Sequence, residues 1–331
     1  MVLKNGEAMS KSKGNIVDPG EIIDKYGPDT ARMFILVTAS PEKELEWSDE
    51  GVDKVYKFIN KYYEFVLKNR ENLIRESIDY EKLSNKEKYL LSLTHRTIRE
   101  VHDDIENFKL NVAIQKTMRI VNEAIKNYSV VKPAITTEMI SKATLLFSPF
   151  IPHVCEEVWN LLGNKNFVSL EKWPVANEKF INDKIELLYE VIDNLRSDLR
   201  NVIELARKKN KVANKATLVI AEPWKYTLFN KVSKIMEKTR NVGEITKQVM
   251  QEEEFKKRSK QTVQIIQKIV KNPQLLIEEE ITPEDEFSVI DEERQELEKE
   301  FNIEIKLEFE KNSNYEKAKQ ALPGKPAIIL E

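Results

Sequence analysis

A single cysteine, Cys155, stands in 331 residues. Its isolation excludes an internal disulfide framework and every zinc site built on paired cysteines, and it fits a reducing, cytoplasmic compartment. Glycine is scarce, at eight residues. Neither G-x-G-x-x-G nor G-x-x-x-x-G-K-[ST] occurs, so the usual glycine cradles for nucleotide phosphates are missing. No run of about 18 uncharged apolar residues exists, which excludes a helical membrane span. The first residues, Met1-Val2-Leu3-Lys4-Asn5-Gly6-Glu7, lack the apolar stretch of a signal peptide. No sign of charge dominates either: 53 basic residues face 56 acidic ones, for a net charge of −3. That balance neither demands nor forbids a nucleic-acid partner, because binding depends on local clusters. Apolar side chains, at 41%, suffice to build cores, and the length suggests two or three domains.

Pattern separates three regions. Residues 1–50 are irregular and rich in turn residues. Val2 to Met9 reads as a hairpin, because Asn5-Gly6 tolerates the positive φ of a tight turn. Glu21–Tyr26 reads as a short helix stopped by Gly27-Pro28, and Asp29 or Thr30 can cap a second through Ala31–Leu36. From 51 to 210 the period is helical: Val52, Val55, Ile59, Tyr62, Val66 and Leu73 form one stripe. Leu90–Ile105, Ile114–Tyr128, Thr137–Phe147 and Ile185–Ala206 repeat the pattern, and Pro152 starts another helix where its missing N–H costs nothing. From 211 to 331 the types mix: strand-like Ala216–Ala221, two or three helices ending at Asn272-Pro273, the alternating strand Ile303–Phe309, and a last strand Ala327–Leu330. The expectation is a mainly α chain: a helix bundle followed by a small α+β domain.

Chemistry concentrates in Ala8-Met9-Ser10-Lys11-Ser12-Lys13-Gly14-Asn15. Two lysines alternate with two serines, and Gly14-Asn15 turns the backbone directly afterwards. Such a loop can present ammonium groups and hydroxyls to an anionic phosphate chain and stabilise charge on a leaving pyrophosphate. Read alone, it is equally a solvated surface loop.

The segment resembles the K-M-S-K-S signature of class I aminoacyl-tRNA synthetases, with Ala8 where the family usually carries its first lysine. The resemblance implies an ATP-binding loop made of Ser10, Lys11 and Ser12. Lys11 takes the catalytic role of stabilising the transition state of adenylate formation, and any contribution of the first lysine is absent or taken by Lys13. Tyr26–Arg32 and Ser40–Gly51 resemble the connector between catalytic domain and bundle, with Trp47-Ser48-Asp49 before a long helix as in the branch handling leucine, isoleucine and valine. Trp47 can equally plug the bundle end while Ser48 or Asp49 caps the helix. Leu146–Trp159 resembles a segment of that branch's helical anticodon-binding domain, where His153 reads as structural. His95 and His102 lie seven apart on one helix without a third ligand, so no metal site is expected.

The resemblance is most like archaeal-type leucyl enzymes, with isoleucyl and valyl enzymes as close rivals. It implies three parts: residues 1–50 as the end of a nucleotide-binding catalytic domain, 51–210 as an anticodon-binding-type bundle, and 211–331 as a tRNA-contacting α+β domain. ATP, accompanied by Mg, is then the substrate, and tRNA, specifically tRNA-Leu, the partner. The family's H-I-G-H signature does not occur here, so the chain reads as a C-terminal fragment or as one subunit of a split enzyme. It is expected to be inactive without the missing N-terminal catalytic half. A stand-alone tRNA-binding module with a vestigial loop is the alternative of a different kind.

Two basic clusters are the candidate tRNA contacts under that resemblance. Arg196, Arg200, Arg207 and Lys211 fall within roughly 60° of one another on the last bundle helix. Lys256, Lys257, Arg258 and Lys260 follow in the next domain. Such faces hold phosphates; read alone, they are solvated helix surface, with Asp198 and Glu204 partly neutralising the first.

Overall fold

The computed structural model describes residues 1–209, 213–277 and 279–331. The described chain divides into two units, Met1–Asn182 and Asp183–Glu331. It is mainly helical, as its periodicity predicts.

The first unit opens with β1 (Val2–Lys4) and β2 (Glu7–Ala8), an antiparallel hairpin turned by Asn5 and Gly6 at φ of 56° and 75°. Positive φ at both positions matches the right-handed twist of the strands. Two helices follow, α1 (Pro19–Tyr26) and α2 (Pro28–Thr38), each with proline in its first turn. A short β3 (Leu45–Glu46) pairs parallel to β1. The bundle then comprises α3 (Asp49–Asn69), α4 (Asn85–Glu106), α5 (Leu110–Asn127), α6 (Pro133–Phe147) and α7 (Pro152–Leu161). The stripe predicted for α3 is the buried one: Val52, Val55, Ile59, Tyr62 and Val66. Tyr62 lies fully buried and pairs its hydroxyl with Thr144 Oγ1 at 2.6 Å. Helix α4 begins at a capping box, in which Ser84 accepts from the Glu87 N–H and Glu87 accepts from the Ser84 N–H. The second oxygen of Glu87 accepts from the Lys132 N–H at 2.9 Å, tying the start of α4 to the start of α6.

The second unit starts with α8 (Asp183–Lys208). The sequence reading places this helix in the bundle; in the structure it packs within the second unit, against α13 (Pro283–Phe301) and β6 (Ala327–Leu330). Its apolar stripe of Ile185, Leu188, Ile192, Leu195 and Leu199 demands a covering surface, and periodicity says nothing about which one. Strand β4 (Lys215–Ile220) is central, parallel to β5 (Glu304–Phe309) and antiparallel to β6. Between β4 and β5 the chain forms α9 (Pro223–Met236), α10 (Val242–Val249), α11 (Glu253–Lys257) and α12 (Ser259–Lys271), around a core that includes Trp224, Phe229, Ile245, Phe255 and Ile266.

Two buried ionisable side chains pin this unit's loops. Lys225, 2% exposed, donates to the Glu310 carboxylate, to Lys319 O at 2.9 Å and to Ala321 O at 2.7 Å. Burial lowers its pKa, and Glu310 opposes that shift. Glu286 accepts from the Tyr226 hydroxyl at 2.6 Å and from the Gly324 N–H at 3.0 Å, and burial pushes its carboxyl up to about 7.

Candidate functional site: the lysine loop and the basic faces

The lysine loop leaves β2 at Ala8, whose backbone is committed to the hairpin with Leu3. The side chain of Asn15 closes the loop from both sides. Its Oδ1 accepts from the Ser10 N–H at 2.8 Å, and its Nδ2 donates to Ala8 O at 3.2 Å. Between these points Lys11–Lys13 form a single 3₁₀ turn, ended by Gly14 at φ 65°, a left-handed conformation that favours glycine. Ser10 Oγ and Ser12 Oγ lie 3.2 Å apart, so both hydroxyls meet at one spot. The two lysines differ. Lys13 pairs with Glu7 at 3.1 Å, whereas Lys11 is exposed and forms no ion pair among the described residues. The structure therefore leaves Lys11 as the uncommitted ammonium beside the paired hydroxyls. Sequence reasoning used Gly14-Asn15 only as a turn; the Asn15 side-chain staple is an addition from the structure.

The connector meets the bundle through polar contacts within the first unit. Asp29, 4% exposed, accepts from the Val154 N–H at 2.7 Å and pairs with His153 Nδ1 at 2.8 Å. Helix α7 has no side-chain cap of its own, so Asp29 of α2 caps it from outside. Arg32 donates to Phe150 O at 3.2 Å and to Pro149 O at 3.0 Å. The two segments singled out in the sequence, Tyr26–Arg32 and Leu146–Trp159, thus meet, and His153 serves as one side of the joint.

The basic residues fare unequally. Arg196 is turned inward: its guanidinium reaches Glu293 at 3.1 Å, Glu296 at 3.4 Å and Glu300 at 3.1 Å, with 16% of its side chain exposed. Committed to three carboxylates, it has no donor fork to offer a phosphate. Arg200 is 60% exposed, and among the described residues its one ion pair is with Glu300, at 3.0 Å. Arg207 is exposed on the last turn of α8, and Lys211 lies outside the described residues. Lys256 pairs with Glu253 at 2.7 Å. Arg258 lies over the Trp224 ring at 5.4 Å and reaches Glu222 at 3.8 Å. Lys257 and Lys260 are exposed. The second cluster is therefore two solvent-facing lysines beside two partly engaged cations.

His95 is buried and accepts from the Asn177 N–H through Nδ1 at 3.1 Å. Burial, with Lys142 nearby, lowers its pKa to about 4, so it is neutral at physiological pH. His102 is exposed. Among the described residues no group of three or more His, Cys, Asp or Glu side chains is placed to hold a metal ion, and no helix is long and apolar enough to cross a membrane.

Comparison with known proteins bears directly on these segments. A family described as tRNA synthetases class I (I, L, M and V) matches residues 1–48, and the anticodon-binding domain of tRNA ligase matches residues 87–222. The leucine–tRNA ligase of Pyrococcus furiosus is 30% identical over 334 residues, covering 98% of this chain and 33% of that protein. The leucine–tRNA ligase of Fusobacterium nucleatum is 40% identical over 202 residues, covering 57% of this chain and 23% of that protein. A crystal structure of the ternary complex of Agrobacterium radiobacter K84 LeuRS with tRNA and LeuAMS shares the fold at a TM-score of 0.50 and 22% identity, over 67% of this chain and 25% of that one. The chain belongs to the class I aminoacyl-tRNA synthetases. Within that class its likeness runs to the leucine–tRNA ligases, an archaeal one being matched along nearly the whole of this chain. It spans about a third of the length of those curated archaeal relatives.

Proposed function

We propose that this chain supplies a leucine–tRNA ligase with the lysine side of its adenylation site and with the helices that hold tRNA-Leu. The observation that carries the proposal is the stapled loop, which presents Lys11, without an ion pair among the described residues, next to the converging hydroxyls of Ser10 and Ser12. In that role Lys11 stabilises the charge that builds on the pyrophosphate of ATP as the leucine carboxylate attacks the α-phosphorus. Ser10 and Ser12 orient the phosphate chain. The loop offers ammonium and hydroxyl groups, and its carboxylate neighbour Glu7 is paired with Lys13. Mg therefore enters with ATP rather than on ligands of this loop. The H-I-G-H side of the site comes from the N-terminal catalytic portion, and the setting is the cytoplasm. In the second unit, Arg200, Arg207, Lys257 and Lys260 keep exposed cations for the tRNA body, with Lys256 and Arg258 as partly engaged neighbours; Lys211, the fourth member of the first cluster in the sequence, lies outside the described residues.

The test is Lys11→Ala in enzyme that contains the H-I-G-H portion. ATP–pyrophosphate exchange should fall by about 10²–10³-fold, the usual cost of one preorganised charge donor, while tRNA affinity stays unchanged. An unchanged exchange rate makes the loop vestigial and favours a tRNA-binding module without a catalytic share.

A further inference from the structure

The hairpin gives the lysine loop two faces. Successive side chains of a strand point to opposite sides, so β2 puts Glu7 on one face and Ala8 on the other. The ladder continues past β2 with the Met9 N–H on Val2 O at 3.1 Å, and Ser10 is extended at φ −150° and ψ 151°. Ser10 therefore returns to the Ala8 face, and Ser12 Oγ joins it there at 3.2 Å. Lys13 is drawn to the reverse face. It pairs with Glu7 at 3.1 Å, although the hairpin register sets Lys4 directly across from Glu7. Lys11 and Lys13 stand two residues apart in a 3₁₀ turn, so their side chains leave its axis about 120° apart. The turn does not aim both ammonium groups at one spot. With Lys13 tied to the back, Lys11 is the lysine of the loop left for the face of the hydroxyls.

Asn15 holds the same turn from within. Gly14, left-handed at φ 65°, ends the turn and doubles the chain back, so that the half-buried Asn15 spans the mouth of the loop. Both ends of its amide are engaged on backbone: Oδ1 accepts from the Ser10 N–H at 2.8 Å, and Nδ2 donates to Ala8 O at 3.2 Å. Lys11 and Ser12 are exposed between these fixed points, and Lys11 has no ion pair of its own among the described residues. Its posture therefore depends on the anchors to either side, Asn15 acting on Ser10 before it and Glu7 acting on Lys13 after it. The Glu7–Lys13 anchor is weak, because both side chains are about half exposed or more. The Asn15 anchor is stronger, since it is half-buried and fixes two backbone groups at once.

We propose that Lys13 and Asn15 are positioning residues for Lys11: Lys13 anchors the back of the turn on Glu7 and binds no phosphate, and Asn15 closes its mouth. The proposal rests on the adenylation role of the loop and deepens it by naming what holds Lys11 in place. Lys11 acts on charge that builds in the transition state, so displacing it lowers kcat and leaves the KM for ATP in place. Loss of a lysine that held phosphate equally in ground and transition states does the reverse and raises KM. The experiment is ATP–pyrophosphate exchange in enzyme that contains the H-I-G-H portion, with kcat and the KM for ATP measured separately. Lys13→Gln and Glu7→Ala should each lower kcat by up to about 5-fold, the worth of one exposed ion pair, at unchanged KM. The double variant should be no slower than either single one, because both remove the same contact. Asn15→Ala should lower kcat by about 10–10²-fold, since a catalytic group misplaced by about 1 Å costs that much. Thermal melts matching wild type separate a displaced loop from a destabilised domain. A KM for ATP raised by Lys13→Gln and lowered by Glu7→Ala makes Lys13 a phosphate ligand and overturns the proposal, as does an unchanged kcat in Asn15→Ala. If Lys11→Ala itself leaves exchange unchanged, the adenylation reading falls as well. If Lys11→Ala is slow while the Lys13 and Asn15 variants match wild type, this inference alone falls.

Discussion

Replacing Arg196 by Met separates a structural arginine from a phosphate contact. In the structure this guanidinium spans three carboxylates of α13, one of which, Glu293, is 1% exposed. After substitution Glu293 keeps the Tyr189 hydroxyl at 3.3 Å and loses the Arg196 guanidinium. A charge-assisted hydrogen bond to a buried carboxylate contributes about 1.5–3 kcal/mol. Glu296 and Glu300, each about one-third exposed, add little, in keeping with the roughly 0–1 kcal/mol of a surface pair. The total is about 2–3 kcal/mol. With a urea dependence of roughly 1–3 kcal/mol per molar, the transition of the second unit should move down by about 1–3 M. Circular dichroism measures the shift, and amide exchange on α8 and α13 locates it. Arg200→Met is the internal contrast. That side chain is 60% exposed with one partner, so its loss should cost under about 1 kcal/mol yet lower the salt slope of tRNA binding by about one. The double variant Arg196→Met/Glu293→Leu should recover part of the stability, because both members of the Arg196–Glu293 pair are then removed together. If Arg196→Met leaves the midpoint in place and lowers the salt slope instead, the inward network is not what the arginine is for.

Two further outcomes test the first unit. His95, with a folded pKa of about 4 against 6.5 unfolded, binds its proton later than the unfolded chain does; stability should therefore fall as pH drops from 6.5 towards 4, by about 3 kcal/mol in full. Urea melts of wild type and His95→Asn across that window should converge as pH falls, and parallel curves would mean His95 titrates normally. Asp29→Ala removes the external cap of α7 and should cost about 1–2 kcal/mol, with Asp29→Asn recovering part through its remaining oxygen; an unmoved urea midpoint for the alanine variant would make the joint with Val154 and His153 incidental.

Elements were legible wherever one face repeats. The stripes of α3, α4, α5 and α8, and the alternation of β5, are visible as periodicity because each buries one face and wets the other. What local pattern does not encode is the partner. The stripe of α8 reads the same whether it faces a bundle or α13, and the structure chose α13. Helix α13 itself escaped the sequence reading because its apolar positions are sparse among acids. Its start was nevertheless signalled by Thr282-Pro283-Glu284-Asp285, which forms a capping box with proline in the first turn. The lysine loop was legible as a string of residue types, Lys11 foremost. The difference between Lys11 and Lys13 was not, since it depends on Glu7 lying across the hairpin within 3.1 Å of Lys13. For the same reason Arg196 and Arg200, one helical turn apart, looked equivalent until α13 was seen beside them.

The lysine loop and the start of α3 share one frame. Strand β1 leads through the hairpin to β2, which the loop leaves, and β3 hydrogen-bonds alongside β1. The chain then passes from β3 through Trp47 and Ser48 into α3. Trp47 donates its backbone N–H to Leu3 O at 2.7 Å and its indole N–H to Asp49 at 2.8 Å, while its ring packs edge-on to Phe34 at 5.0 Å. Ser48 caps α3 by accepting from the Gly51 N–H at 3.0 Å. The start of α3 is thus tied to β1 by the Trp47–Leu3 backbone bond and to α2 by the Trp47–Phe34 ring contact, while Ser48 caps the helix itself. The joint of Asp29 and Arg32 fixes α2 to the far corner of the same bundle. Under the proposed function, these contacts set the start of α3 relative to Lys11, and so where a bound tRNA body lies relative to the adenylation chemistry.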